Sequence, residues 1–215
     1  RLTVTIIDPN LESLKRCKNR SQYVKFGNSL TTVSFKKDIP KDEKFEICII
    51  STNSDIRAKI TRELLKSCST RYIIFENILF QINKDYDDIL KLLKKNQVKA
   101  WVNCPKRTHA FYKEIKKTLD LSEPFKMNII GSSWGMACNS IHFLDLIAWF
   151  TGESLVSIQT SGLQNWIPSK RNGFSEVTGQ LIANLSGGTE LILESENTPE
   201  PFVIRLKNSS GEWVL

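Results

Sequence analysis

Between residues 2 and 119 the chain alternates short, almost unbroken apolar runs with stretches whose apolar residues recur every three or four positions. That alternation constrains the fold more than any other feature. The runs are residues 2–7, 31–35, 45–50, 71–75 and 98–102. Between them Leu11, Leu14 and Cys17, then Ile56, Ile60, Leu64 and Leu65, then Ile89, Leu90, Leu92 and Leu93 lie at helical spacing, and residues 109–119 read as a further helix. Strands this apolar need cover on both faces, which parallel strands joined by crossover helices provide. The first half is expected to be doubly wound α/β.

After Pro124 the pattern changes. Residues 125–130 read as a strand and 139–151 as a largely buried helix. Strand-like segments at 155–160, 176–185, 189–194, 202–207 and 212–215 then follow without helices between them. Gly187-Gly188 and Ser209-Ser210-Gly211 are hairpin signals. This half is expected to be α+β with an open, mostly antiparallel sheet.

Composition narrows the function. With 215 residues, 25% charged and 40% hydrophobic, the chain can build real cores, which excludes a disordered or disulfide-stapled protein. The net charge of +7 is spread over clusters such as Lys15-Arg16, Lys94-Lys95 and Lys116-Lys117, with acids between them. Without a gathered basic face or a nucleic-acid-binding motif, a nucleic-acid partner is not expected. Five cysteines, Cys17, Cys48, Cys68, Cys104 and Cys138, lie far apart with no CxxC pair, so neither a disulfide framework nor a metal site is expected. The longest mainly apolar run, residues 141–150, is interrupted by His142 and Asp145 and is too short for a bilayer, so no membrane partner is expected. The cytoplasm is the expected compartment.

Several polar residues stand where ligands bind in open α/β sheets, at the carboxyl ends of strands. Asp8 ends the first run, placed either to accept ribose hydroxyls or to make a turn with Pro9. Ser51, Thr52 and Asn53 end the third, suited to phosphate or ribose oxygens or to a helix cap. Glu76 ends the fourth, where a buried carboxylate needs a partner. In the second half His142 and Asp145 stand three apart on an apolar helix, with Cys138 four residues before His142. Such groups need partners in a substrate or in the core.

In this order the elements resemble the Gfo/Idh/MocA family of nicotinamide-dependent oxidoreductases. The resemblance rests on Val4-Thr5-Ile6-Ile7-Asp8-Pro9-Asn10, on Ile49-Ile50-Ser51-Thr52-Asn53-Ser54-Asp55 and on Tyr72-Ile73-Ile74-Phe75-Glu76-Asn77-Ile78. It continues in residues 102–107 and in Cys138-Asn139-Ser140-Ile141-His142-Phe143-Leu144-Asp145, closed by Thr151-Gly152. The resemblance implies an incomplete Rossmann-like dinucleotide-binding domain at residues 1–105. It also implies an α+β substrate and oligomerisation domain at residues 106–215.

It further implies a hydride transfer between NAD and a sugar or nucleotide-sugar derivative, in a homo-oligomer. Asp8, Ser51, Thr52, Asn53 and Glu76 would border the cofactor; Asp8 favours NAD, while Lys15 and Arg16 keep NADP open. His142, Asn77 and Lys106 hold the catalytic positions, and Asp145, Cys138 and Arg107 the substrate side. The family's lysine falls on Asn77, its aspartate on Cys138 and a frequent histidine on Arg57. Asn77 cannot exchange a proton at neutral pH, so the base is expected in His142, with Lys106 as an electrostatic helper. A non-catalytic relative serving as a ligand-binding or assembly module is the alternative. The GxGxxG turn of the family is not in this sequence. In a sheet ordered 3-2-1-4-5-6 that turn follows the central strand. The chain is therefore expected to be a fragment or to be complemented, with two strand groups facing each other across unpaired backbone.

Overall fold

The computed structural model describes residues 2–24 and 31–214. The chain divides into two compact units, Arg1–Val102 and Asn103–Leu215.

In the first unit every paired strand is parallel to its neighbour. β1 (Leu2–Ile7) pairs with β2 (Thr31–Lys36), Leu2 opposite Thr31 and Ile7 opposite Lys36. α1 (Leu11–Ser21) follows β1 and starts where it does because the side-chain oxygen of Asn10 accepts the N–H groups of Glu12 and Ser13 at 2.9 and 3.1 Å. Those donors have no partner inside the helix. β3 (Lys44–Ile50), β4 (Ser69–Phe75) and β5 (Lys99–Val102) form a second parallel sheet in that order, with α2 (Ser54–Ser67) and α3 (Asn83–Lys95) as crossovers. Ile50, Leu64, Ile73, Phe75, Phe80 and Ile89 belong to its buried core. Among the described residues β1 bonds only to β2, and β3 only to β4. Among the described residues the two strand groups are thus paired within themselves and not to each other.

The second unit carries a seven-stranded sheet on which one helix lies. β6 (Lys126–Ser132), β7 (Leu155–Gln159), β8 (Leu163–Pro168), β9 (Ser175–Leu185), β10 (Glu190–Glu196), β11 (Val203–Asn208) and β12 (Gly211–Val214) run in the order β12-β11-β6-β10-β9-β7, with β8 also on β9. All pairs are antiparallel except β6 with β10. The expected hairpins close at Gly187-Gly188 and at Ser209-Ser210. α5 (Met136–Thr151) buries Phe143, Leu146, Ile147 and Phe150 against Met127, Ile129, Leu191 and Leu193. A 3-10 turn at Pro105–Thr108 and α4 (Ala110–Thr118) precede the sheet. α5 stops at Gly152, whose φ of 78° permits its N–H to reach the Ala148 carbonyl at 2.8 Å.

Two features differ from expectation. β8 has no clear alternation in Leu163-Gln164-Asn165-Trp166-Ile167-Pro168, and its proline is tolerated because the strand lies at an edge. Its approach to β9 depends on Gly179, at φ 98°, where a Cβ would stand 2.3 Å from the Gly162 carbonyl oxygen. α5 begins at Met136, before the expected residue 139, because the side chain of Glu176 on β9 accepts the N–H of Ala137 at 2.9 Å and of Cys138 at 3.4 Å. A remote carboxylate thereby does the work of a local cap.

Candidate functional site

The candidate residues form two groups, one in each unit. In the first unit Asp8 follows β1, residues 51–53 follow β3 and Glu76 follows β4, so all five stand at the carboxyl ends of parallel strands. The Asp8 carboxylate accepts the Asn10 N–H at 2.8 Å, making the turn into α1 with one oxygen. Asn53 sits at the N-cap of α2 without a side-chain cap hydrogen bond, so the plain helix-cap reading of that residue does not hold. The Thr52 hydroxyl is buried without a hydrogen-bond partner. An orphaned hydroxyl of this kind is costly unless a ligand satisfies it.

Arg57, on α2, ties these loops together. It is 2% exposed, and its guanidinium donates to the carbonyls of Thr52 and Ile78 and, at 3.1 Å, to that of Leu79. It thereby joins the loop after β3 to the loop that holds Asn77. Gln81 extends the join by donating its side-chain amide to the Ser54 hydroxyl at 3.1 Å. Where the family has a histidine this chain has a planar donor that can serve several carbonyls at once.

In the second unit the 3-10 turn lies against α5 and brings four of the expected residues together. The Arg107 Nη2 is 2.8 Å from Asp145 Oδ1, with the Asp145 side chain 17% exposed. The other Asp145 oxygen, Oδ2, is buried without a hydrogen bond. Burial pushes the Asp145 carboxyl upward, and the charges of Arg107 and His142 oppose that rise. The Lys106 ammonium lies 4.4 Å from the Phe143 ring centroid and 5.7 Å from that of Tyr112, and burial pushes its pKa downward.

Cys138 stands apart from this group. Its thiol faces Glu176, and burial followed by the Glu176 hydrogen bond and charge pushes it up to about 11, with Arg171 opposing. At neutral pH it is a thiol, unlike the aspartate of the family pattern. Sequence reasoning missed Glu176, Tyr112 and Phe143. The signal for Glu176 was the absence of any capping side chain at Gly135, but which distant acid would serve is a matter of tertiary contact. Among the described residues no group of His, Cys, Asp or Glu is arranged to hold a metal ion. No helix there is long and apolar enough to cross a membrane.

Solved structures share this architecture along the length of the chain. A probable dehydrogenase from Thermotoga maritima superposes with a TM-score of 0.69 at 13% identity, covering 100% of this chain and 74% of that one. The WlbA dehydrogenase from Chromobactrium violaceum, solved with NADH and UDP-GlcNAcA, gives 0.67 at 15% identity, covering 98% of this chain and 65% of that one. The myo-inositol dehydrogenase from Lactobacillus casei, solved with NAD(H) and myo-inositol, gives 0.62 at 14% identity, covering 100% and 74%. No family model and no curated protein matches the chain. The fold is that of the Rossmann-type dehydrogenases. More narrowly, these neighbours are dehydrogenases of the Gfo/Idh/MocA type, the family whose order of elements the sequence resembles.

Proposed function

We propose that the protein is an NAD-dependent oxidoreductase that moves a hydride to or from a sugar or nucleotide-sugar derivative. The observation that carries this reading is the cluster of His142, Asp145, Arg107 and Lys106 on one helix and the turn against it, in a fold shared with dehydrogenases. Residues 1–105 form the dinucleotide-binding part and residues 106–215 the substrate and oligomerisation part.

The first group of residues fits a nicotinamide dinucleotide in two respects. One Asp8 oxygen makes its turn, which leaves the carboxylate's other oxygen for ribose hydroxyls. The orphaned Thr52 hydroxyl adds a polar group at the same sheet end. NAD would supply the hydride acceptor or donor, with NADP disfavoured by the Asp8 charge. In the oxidising direction the substrate carbon loses hydride as its hydroxyl proton passes to His142 and the C=O bond forms. Asp145 pairs with Arg107 and lies within reach of the charge of His142, and Lys106 stabilises negative charge on the substrate. Asn77 stays as a neutral hydrogen-bonding group.

The widely separated cysteines, free in the structure, suit a reducing cytoplasm, and the open sheet of the second unit suits a homo-oligomer. One observation favours the alternative of a non-catalytic ligand-binding or assembly module. The lysine and aspartate of the family pattern are here Asn77 and a thiol held at about 11.

Calorimetry with NAD, followed by absorbance of the reduced nicotinamide over a sugar and polyol panel, separates the two. Hydride transfer that is lost in His142→Ala supports the enzyme. Cofactor binding with no transfer to any panel member overturns it in favour of the module, and the double change Asn77→Lys with Cys138→Asp then tests whether activity can be restored.

A further inference from the structure

The charges around Lys106 do not balance. Arg107 has its carboxylate, Asp145, at 2.8 Å, and on the neighbouring α4 the Glu114 carboxylate is taken by Lys117 at 2.8 Å. Lys116 lies 4.5 Å from the Trp149 ring centroid and donates to the Trp149 carbonyl. Among the described residues no carboxylate lies within ion-pair distance of Lys106, and its ammonium donates no hydrogen bond there. It rests only on the faces of Phe143 and Tyr112. Phe143 is itself 2% exposed, so the floor beneath the ammonium is core rather than solvent. A half-buried ammonium without an acceptor is a costly arrangement, and aromatic faces repay only part of its lost hydration.

We propose that the substrate of this site carries a carboxylate, which docks on the Lys106 ammonium above the Phe143 ring. The assignment rests on the oxidoreductase reading for the identity of the site, and it narrows the substrate class to hydroxy acids such as uronates and aldonates. A single ammonium beside an Arg–Asp pair suits a singly charged anion. The Asp145 carboxylate would repel the second charge of a phosphate ester. The carboxylate oxygens take N–H donors of the ammonium, leaving the hydroxyl-bearing carbons for His142.

The test is calorimetric titration of the protein, with NAD present and absent, against D-glucuronate, D-glucose and D-glucose 6-phosphate. The wild type should bind glucuronate about tenfold or more tightly than glucose, as a charge-assisted hydrogen bond allows. Lys106→Met should lose that preference, and Lys106→Arg should keep most of it. Thermal melting of both variants shows whether they are folded, and the preference of Lys106→Arg carries the test if Lys106→Met is not. Equal binding of glucuronate and glucose by the wild type overturns the proposal, as does a preference that survives in Lys106→Met or is lost in a folded Lys106→Arg. Tighter binding of glucose 6-phosphate overturns the choice of carboxylate. Failure of NAD to bind, with the glucuronate preference intact, instead counts against the oxidoreductase reading alone.

Discussion

β3 in the first unit and β6 in the second both carry large apolar side chains, yet these meet solvent differently. On β3, Ile47 and Ile49 are 53% and 66% exposed, whereas on β6 Met127 and Ile129 are fully buried under α5. β6 is bonded on both sides, to β10 and β11, while β3 is bonded to β4 alone among the described residues. The second unit covers one sheet face with its own helix, which suits the alternating pattern of its strands. The first has strands written for cover on both faces, yet among the described residues nothing covers Ile47 and Ile49 of β3. Apolar side chains of the two strands therefore contribute unequally to the stability of their units.

The widest gap between the units should appear on truncating a core side chain. Phe150→Ala, at a fully buried position on α5, should cost about 3–5 kcal/mol in urea unfolding. Ile49→Ala should stay within about 0.5 kcal/mol. Comparable losses at both positions would mean that the Ile49 face is covered in solution, and the contrast would fail.

Arg57→Ala sharpens the picture of the first unit, since it leaves the carbonyls of Thr52, Ile78 and Leu79 without their donor. A loss of about 2–3 kcal/mol is expected. Faster amide exchange in residues 51–54 and 76–80 than in β4 would show that the loops, rather than the sheet, respond.

In the second unit, Glu176→Ala removes the carboxylate that starts α5, for a loss of about 1 kcal/mol. It also removes the hydrogen bond and charge that raise the Cys138 thiol. The wild-type thiol, at about 11 against an ordinary 9.0, should be alkylated at pH 8 about a hundredfold more slowly than an unperturbed cysteine. Mass spectrometry after iodoacetamide should show the variant reacting faster, and unchanged rates would remove Glu176 from the account.

The smallest effect concerns Asp120, whose carboxylate accepts hydrogen bonds from Ser122 and Ser210 and is thereby lowered to about 2 from 3.8. A lowered carboxyl favours the folded state above its ordinary value, and that contribution fades as pH falls toward 2. NMR titration of Ser210→Ala should move the Asp120 midpoint upward.

Much of the fold was legible because it was written locally. The Asn10 cap, the three-and-four spacing of Ile56, Ile60 and Leu64, and Gly152 at the end of α5 all act within a turn or two of chain. β8 was not legible, since Trp166 is 71% exposed and, among the described residues, the strand pairs only with β9. At the candidate site the spacing of His142 and Asp145 announced a polar face on a buried helix. The partner of Asp145, Arg107, stood in a segment whose position against α5 depends on the packing of the whole second unit.

Residue order alone settled the alternation of strand and helix, the change of architecture after Pro124 and the residue types available for chemistry, because these follow from backbone preferences and apolar periodicity over short distances. Only the tertiary structure decided that Arg107 answers Asp145, that Glu176 rather than a local residue caps α5, and that Lys106 lies on aromatic faces with no acid beside it among the described residues. Those are contacts between segments far apart in the chain, and electrostatic pairing depends on distance in space rather than on position in sequence.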